Sequence, residues 1–274
     1  MDTINKETNE NGTNEGLNKT NSLEEFYAGS RILVTGATGF VGVGLLEKLM
    51  RVCPRVAAIF ILIRPKSNET IEQRFEKIID DPIYDNIKAK HPSVLSKVYP
   101  VEGDVSLPHL GLSREDRNLL LEKVNIVFHV ATTVRFDEPL HVAVNVNTKD
   151  TARVIELWND LRHRISFVHV GTAYSNANLH EIGEKVYTTC LKPSEVIDMC
   201  DKLDKTTINQ KSNHGRRDPP HRLNAVDWIF TPTGVCRHPN SYILCRYLLI
   251  VGLFLGLFLD IVAAFDTIAS SCSA

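Results

Sequence analysis

Three glycines at a G-x-x-G-x-x-G spacing, Gly36, Gly39 and Gly42, are the residues of this chain that most directly indicate chemistry. A glycine-rich turn lets backbone amides approach a phosphate group, because no Cβ lies in the way. The run Ile32 to Thr35 predicts a buried strand before the turn, and Val43 to Cys53 predicts an amphipathic helix after it. This order is typical of a dinucleotide-binding site, and a glycine turn of another α/β protein is the alternative. The residues predicted to bind the dinucleotide here are Thr35, Gly36, Thr38, Gly39, Phe40, Val41 and Gly42.

The second apolar run, Val56 to Ile63, predicts a strand that is covered on both faces. An NAD-binding unit usually has Asp or Glu at the end of this strand, where the carboxylate binds the ribose 2′-hydroxyl. This chain has Arg64 there instead, and Lys66 follows two residues later. Because a guanidinium and an ammonium suit a 2′-phosphate, we predict NADPH as the cofactor. A solvated basic turn is the alternative.

Two further strand ends carry candidate cofactor contacts. Asp104 and Val105 follow the third predicted strand, and the Asp104 carboxylate is expected either to accept a hydrogen bond from an adenine amine or to cap a turn. Ala131 and Thr132 follow the fourth predicted strand, where small residues leave room for a cofactor beside the backbone. His129 lies inside that apolar strand and is interpreted as a core residue rather than a catalyst.

Strands and helices alternate along residues 31 to 170, which predicts an α/β fold. The pattern is that of a Rossmann-like doubly wound parallel sheet with helices on both faces. A long helix from Pro139 to about Leu161 precedes the fifth strand, Ile165 to Val170. Ligands of such sheets bind at the carboxyl ends of the strands, which predicts one shared cleft. The residues expected at its edge are Gly36, Arg64, Asp104, Ala131 and Thr172.

The composition restricts the range of functions. The apolar fraction of 43% is enough for a core, and the formal net charge of -2 argues against nucleic acid as the main partner. The six cysteines are scattered without metal-ligand spacing, which indicates free thiols in a reducing compartment and no metal site. The N-terminus has no basic residues followed by an apolar run, so we expect no secretory signal. Residues 1–23 are polar and predict a disordered leader.

Longer motifs carry a family resemblance. Residues 128–140 read FHVATTVRFDEPL, residues 168–176 read VHVGTAYSN, and residues 184–187 read EKVY. Together with the TGATGFVG motif around the three glycines, they resemble the insect-type fatty acyl-CoA reductases of the extended short-chain dehydrogenase/reductase superfamily. The likeness extends over about residues 26–203. The chain therefore resembles a truncated member that lacks the C-terminal domain usual in the family.

The resemblance implies a reaction and the residues that perform it. Such enzymes reduce a long-chain acyl-CoA with two NADPH to a primary alcohol, through an aldehyde, and release CoA. On the family pattern Thr172 fixes the substrate carbonyl, Tyr242 supplies the proton, and Arg246 stands where a Lys lowers the Tyr pKa and holds the nicotinamide ribose. Three positions depart from the pattern, since Gly171 replaces a Ser, Arg246 replaces that Lys, and Asp150 stands where Gly is usual.

Beyond a reductase domain at residues 24–204, the sequence predicts two further segments. Residues 205–241 lack periodicity and are interpreted as an irregular segment or an insertion. Residues 242–274 contain the apolar run Tyr247 to Leu259, which Asp260 interrupts, and they predict an apolar helical tail. A membrane-associated tail and a helix that covers the sheet edge both remain open. The resemblance implies a location on the cytosolic face of the endoplasmic reticulum or of a peroxisome.

Three functions therefore compete. The first is NADPH-dependent reduction of a long-chain acyl-CoA to a fatty alcohol. The second is a catalytically impaired, nucleotide-binding member of the same family, which Gly171, Arg246 and the missing C-terminal region favour. The third is a short-chain reductase of an aldehyde or a sterol, and the dense likeness over residues 124–187 argues against it.

Overall fold

The structure, a computed structural model, describes residues 23–131, 139–171, 181 and 192–202 of the chain. Within these residues one sheet contains β1 (Arg31–Thr35), β2 (Ala58–Ile63), β3 (Val98–Glu102), β4 (Ile126–His129) and β5 (Ser166–His169). The strand order is β3-β2-β1-β4-β5, and every neighbouring pair is parallel. β2 and β3 thus lie on one side of β1, and the chain then crosses to the other side of β1, where β4 and β5 lie. The prediction of a Rossmann-like, doubly wound α/β fold is confirmed.

Helices make the connections between the strands. Residues 23–27 form α1, which leads into β1, and α2 (Phe40–Val52) joins β1 to β2. Between β2 and β3 lie α3 (Ile71–Ile79), a 3₁₀ turn (Pro82–Tyr84), α4 (Asp85–Lys90) and α5 (Pro92–Leu95). A 3₁₀ turn (Pro108–Gly111) and α6 (Arg114–Lys123) join β3 to β4. The path from β4 to β5 includes α7 (Leu140–Ala143), a π-helical segment (Val144–Lys149) and α8 (Asp150–Asp160), and α9 (Pro193–Lys202) follows β5.

One face of the sheet is covered by α2 together with α1 and the helices between β2 and β3. Ile32 and Val34 of β1 point to this face and are fully buried. They belong to one apolar cluster with Ile61 of β2 and with Leu46 and Leu49 of α2. Side chains alternate along a strand, so the even-numbered positions of β1 supply this layer.

The opposite face is covered by α6 and α8. Leu33 of β1, Val127 of β4 and Phe167 of β5 form its sheet side. Val154 and Trp158 of α8 pack onto them, and the rings of Trp158 and Phe167 have centroids 5.7 Å apart. Helices therefore cover both faces, as the continuous apolar strands predicted.

The start of α2 differs from the sequence-based boundary. The helix begins at Phe40, inside the glycine motif, and not at Val43. Gly39 is the N-cap with φ -87° and ψ 167°, and its carbonyl accepts the Val43 amide at 2.8 Å. The pattern missed these three residues because glycine is a poor helix former and masks the first turn.

The long helix predicted from Pro139 to Leu161 is present over most of its length but is interrupted. The Asp150 amide donates to the Asn145 carbonyl five residues earlier, which makes Val144–Lys149 a π-helical segment. Such a segment accommodates one extra residue within a helix and often lies at a functional site.

Several predictions fall outside the described residues. These are the leader up to residue 22, the segment 205–241 and the apolar tail at 242–274. Leu23, placed at the end of the leader, is only 6% exposed and belongs to the core. Among the residues that the structure does describe, no helix is long and apolar enough to cross a membrane.

Candidate functional site

A cleft lies at the carboxyl ends of the central strands. Its walls come from the turn after β1, the ends of β2 and β3, the residues after β4, and the helices α3 and α8. It is lined by Gly36, Thr38, Gly39, Leu62, Arg64, Arg74, Gly103, Asp104, Val105, Ser106, Val130, Ala131, Val146 and Asp150. Four of the five residues predicted at its edge, all except Thr172, thus lie together, and Thr172 lies outside the described residues.

The glycine turn brings backbone against backbone. Gly36 has φ +75°, and a Cβ on it would lie 2.6 Å from the Ala131 amide nitrogen. A Cβ on Gly42 would lie 2.1 Å from the Gly36 carbonyl oxygen. Both contacts are too short for any side chain, so each position requires glycine for packing of the turn on β4 and of α2 on β1. Gly39 is less crowded, since its Cβ would lie 3.4 Å from the Gly36 carbonyl oxygen.

The N-terminus of α2 lies at the cleft, because its N-cap residue Gly39 is part of the lining. The amides of Phe40, Val41 and Gly42 belong to the first helical turn and have no intrahelical acceptor. That turn contains no acidic residue, and no side chain among the described residues caps it. The positive end of the helix dipole is therefore left for an anion, and the donor set fits a pyrophosphate.

Two arginines lie at the end of the cleft formed by β2 and α3. Arg64 follows β2 directly, and the Arg74 guanidinium donates to the Arg64 carbonyl. The Arg74 side chain is only 13% exposed, and its Nε lies 3.9 Å from the Glu69 carboxylate. Glu69 also accepts from Lys77 at 2.6 Å, and this bond holds the pKa of the Glu69 carboxyl below its usual range. Glu69, the acid that contacts Arg74, is thus ionised and already bonded to a lysine.

Arg74 was not predicted as a site residue, although the sequence contains a signal for it. Thr70 and Gln73 form a capping box, in which Gln73 N–H donates to Thr70 Oγ1 at 3.2 Å and Thr70 N–H donates to Gln73 Oε1 at 3.1 Å. This box fixes where α3 begins, and Arg74 then falls in its first turn. Side chains of a helix are inclined toward its N-terminus. Once the capping box defines the first residue of α3, the Arg74 side chain is therefore expected to point back toward β2.

Asp104 caps a turn, one of the two roles expected for it. Its Oδ1 accepts from the Ser106 amide at 2.9 Å and from the Ser106 hydroxyl at 2.8 Å. The residue nevertheless lines the cleft beside Val105. The two expected roles are therefore compatible, because a carboxylate has a second oxygen.

A second carboxylate, Asp150, lies in the same wall and was noted in the sequence only as a departure from the family. It is 2% exposed, and its Oδ1 accepts from Arg153 at 2.7 Å. Burial raises the pKa of Asp150 to about 6; Arg153 opposes this shift and Asp104 adds to it. The carboxylate is therefore ionised at neutral pH but close to its titration.

Behind the cleft, a buried polar row crosses three strands. Thr35, His129 and His169 are in register on β1, β4 and β5. Thr35 Oγ1 lies 2.7 Å from His129 Nδ1, and the two imidazole rings have centroids 5.3 Å apart. The Thr35 hydroxyl, predicted to bind cofactor, is therefore engaged by His129 and fully buried.

The other side of His129 fixes the tautomer of the ring. His129 Nε2 lies 3.1 Å from Thr151 Oγ1, and that hydroxyl donates to the Asn147 carbonyl at 2.6 Å. Since the Thr151 proton is committed, Nε2 must carry the hydrogen and donate, and Nδ1 must accept from Thr35. Burial, with a smaller contribution from His169, lowers the pKa of His129 to about 3. The ring is neutral, which agrees with its interpretation as a satisfied core residue.

The remaining predicted residues divide into two groups. Phe40, which is 82% exposed, Val41 and Gly42 form the first turn of α2 beside the cleft. Gly171, the departure from the family pattern, lies two residues beyond the last residue of β5. The predicted residues that lie outside the described part of the chain are Thr132, Thr172, Tyr242 and Arg246.

The fold and the cleft together define a dinucleotide-binding domain of the Rossmann type. The NAD-binding model of the male sterility protein family matches residues 34–217. Fatty acyl-CoA reductase 2 of Homo sapiens is 38% identical over 200 residues, which cover 73% of this chain and 39% of that protein. Fatty acyl-CoA reductase 1 of Mus musculus is 34% identical over 227 residues, with 83% of this chain and 40% of that protein covered.

One solved structure adds a comparison of shape. The terminal R domain of the myxalamid PKS-NRPS biosynthetic pathway superposes with a TM-score of 0.48 and 24% identity, over 69% of this chain and 46% of that chain.

The chain belongs to the male sterility protein family, and its curated relatives are named as fatty acyl-CoA reductases. It spans about 40% of the length of the curated relatives that it matches. The sequence-based recognition of the family is thereby confirmed.

Two glycines of α2 offer a matched test of the turn. A Cβ on Gly42 meets the Gly36 carbonyl oxygen at 2.1 Å, whereas a Cβ on Gly44 meets nothing within 4 Å. We expect Gly42→Ala to lower the free energy of unfolding by about 1–3 kcal/mol, because backbone must shift. Gly44→Ala should raise it by about 0.5–1 kcal/mol through helix propensity. Urea denaturation of both variants measures this, and equal effects would contradict the close packing of the turn.

A second test addresses the polar row. Thr151→Val keeps the shape but removes the acceptor of His129 Nε2. We expect the free energy of unfolding to fall by about 1–3 kcal/mol, because a buried donor is left unsatisfied. Thr151→Ser retains the hydroxyl and should lose clearly less. If chemical denaturation finds the valine variant as stable as the serine variant, the hydrogen-bond assignment is wrong.

Proposed function

We propose that this chain provides the cofactor-binding reductase domain for NADPH-dependent reduction of a long-chain fatty acyl-CoA to a fatty alcohol, with release of CoA. The observation that carries the proposal is the turn from β1 into α2. At this turn the first-turn amides of α2, which have no intrahelical acceptor, lie beside a cleft at the carboxyl ends of a doubly wound sheet. The family match supplies the substrate class, since the relatives are named as fatty acyl-CoA reductases.

A nicotinamide dinucleotide fits the residues that line this cleft. The amides of the α2 N-terminus suit the pyrophosphate, and the close approach at Gly36 leaves the turn without side-chain bulk. The wall of Leu62, Val105 and Val146 is apolar and suits the face of a planar ring.

The phosphorylated form is favoured by charge. Arg64 and Arg74 both line the cleft where β2 ends, the position at which a dinucleotide presents its adenosine ribose. Two guanidinium groups match a 2′-phosphate, while a ribose hydroxyl needs a carboxylate acceptor. Glu69, the acid beside them, is bonded to Lys77 at 2.6 Å. We therefore propose NADPH rather than NADH.

The bound cofactor supplies the hydride, and the chain supplies position and polarisation. On the family pattern the Thr172 hydroxyl orients the substrate carbonyl and the Tyr242 hydroxyl delivers the proton to its oxygen. Arg246 takes the place of the lysine that normally stabilises the ionised tyrosine, and a guanidinium retains the positive charge for this role. The neutral His129 behind the cleft holds the ends of β1 and β4 in place without adding charge.

The test of the proposal is a direct assay. The full chain is incubated with NADPH and palmitoyl-CoA, and fatty alcohol and free CoA are quantified. We expect both products, with at least a hundredfold loss in Tyr242→Phe, because the proton donor is removed. Tyr99→Phe, at a tyrosine of β3 that is 46% exposed, is the matched control and should retain activity.

The alternative function is a nucleotide-binding protein without turnover. Gly171, which removes a hydroxyl after β5, and Arg246 favour it. Tight NADPH binding with no alcohol in the same assay would establish this alternative.

By resemblance we also propose that the chain acts at the cytosolic face of the endoplasmic reticulum or of a peroxisome. Organelle fractionation tests this location.

The arginine pair generates a prediction about cofactor choice. Arg64→Ala and Arg74→Ala should each weaken NADPH binding about 10- to 100-fold, because a charge-assisted contact with the 2′-phosphate is lost. NADH binding should change less than about threefold, because NADH lacks that phosphate. Arg162→Ala, at an arginine whose side chain is 68% exposed, is the control. Titration calorimetry gives all dissociation constants, and parallel losses for both nucleotides would contradict the assignment.

A further inference from the structure

A buried carboxylate lies in a cleft that we propose holds a polyanionic cofactor. Asp150 is the first residue of α8, directly after the π-helical segment, and its side chain is 3% exposed. It lines the cleft with Val146, Asp104 and Val105. A negative charge beside a polyanion is unfavourable unless it faces a part of the ligand that donates hydrogen bonds.

Contacts within the protein hold this carboxylate in one orientation. Arg153 Nη1 donates to Asp150 Oδ1 at 2.7 Å and also reaches the Val105 carbonyl at 3.4 Å. Arg153 therefore ties α8 to the loop after β3. Asp104, on that loop, uses its own Oδ1 for Ser106. These contacts engage one oxygen of each carboxylate.

The surroundings of the two carboxylates select a class of ligand group. Leu62, Val105 and Val146 offer apolar surface to a flat ring, and the acids beside them accept hydrogen bonds. An exocyclic amine has two hydrogens to donate, whereas a ring carbonyl at the same place would face negative oxygens. The phosphates belong at the other part of the cleft, at the N-terminus of α2. A 6-aminopurine therefore fits this wall better than a 6-oxopurine.

We propose that Asp150, acting with Asp104, is a specificity-determining residue that recognises the exocyclic amine of the cofactor adenine. The inference rests on the proposed function, since it assigns one end of the NADPH site. It adds to that function a residue on α8, more than forty positions beyond Asp104 in the chain.

The test compares NADPH with its deaminated analogue, in which hypoxanthine replaces adenine. Both dissociation constants are measured by titration calorimetry on the full chain at pH 8. We expect the wild-type chain to bind NADPH about tenfold more tightly than the analogue, as for loss of a hydrogen bond to a charged acceptor. Asp150→Asn should reduce this ratio to about two or less, because an amide can also donate to the ring carbonyl.

The control and a second variant keep the result interpretable. Glu156→Gln makes the same chemical change at an exposed position of α8 and should retain the tenfold ratio. Asp150→Ser tests the same loss with a smaller side chain if the asparagine variant does not fold. An unchanged ratio in the folded Asp150 variants overturns the inference, and the NADPH proposal survives. Failure of the wild-type chain to bind either nucleotide overturns both.

The pH dependence of the preference for NADPH over the deaminated analogue provides an independent test. Burial raises the pKa of Asp150 to about 6; Arg153 lowers it, and the Asp104 carboxylate raises it further. Arg74 is another charged residue that lines the same cleft. The carboxylate accepts hydrogen bonds above this pH and is mostly protonated at pH 5. The preference of the wild-type chain for NADPH should therefore decrease between pH 8 and pH 5, whereas that of Asp150→Asn should not. If NADPH binding instead tightens on acidification in the wild type alone, the carboxylate repels the ligand and the inference is wrong.

Discussion

The fold of the site depends on one constraint, the direct contact of backbone with backbone at the turn from β1 into α2. The Gly36 carbonyl occupies the space that a side chain on Gly42 would need, and the Ala131 amide occupies that of Gly36. This contact sets how closely α2 lies on β1. It also places the N-cap of the helix, Gly39, at the cleft, and it brings the loop after β4 beside the turn. The geometry that we propose for phosphate binding is thus a result of packing.

Beneath this turn the strand ends are held by polar contacts in an otherwise apolar layer. Thr35, His129 and Thr151 form one chain of hydrogen bonds from β1 through β4 to α8. A neutral imidazole that donates on one side and accepts on the other satisfies both hydroxyls at low cost. His169 stacks beside it, and its Nδ1 has no hydrogen-bond partner within the described part of the protein. Such a row fixes the ends of the strands relative to one another, which an apolar layer would do less specifically.

The sequence predicted those features that depend on local pattern. The continuous apolar runs indicated buried parallel strands, the glycine spacing indicated the turn, and Arg64 was placed correctly at the end of β2. Arg74 and Asp150 were missed as cleft residues, because their positions depend on where a helix starts and on which face it turns inward. In α2 the glycines concealed the first turn. In the helix after β4, the π-helical segment changed which residues of the following helix face the cleft. Neither effect is visible in a regular 3.6-residue period.

The π-helical segment, Val144–Lys149, has a consequence for how the domain can change in evolution. A single extra residue rotates everything that follows by about 100° relative to an uninterrupted helix. The part before it and the part after it therefore follow separate periodicities. Trp158 and its neighbours pack against the sheet, while Asp150 lines the cleft from the first position of α8. Under the proposed role of Asp150, a change of nucleobase preference needs a substitution at one position and leaves the buried aromatic layer two turns away undisturbed.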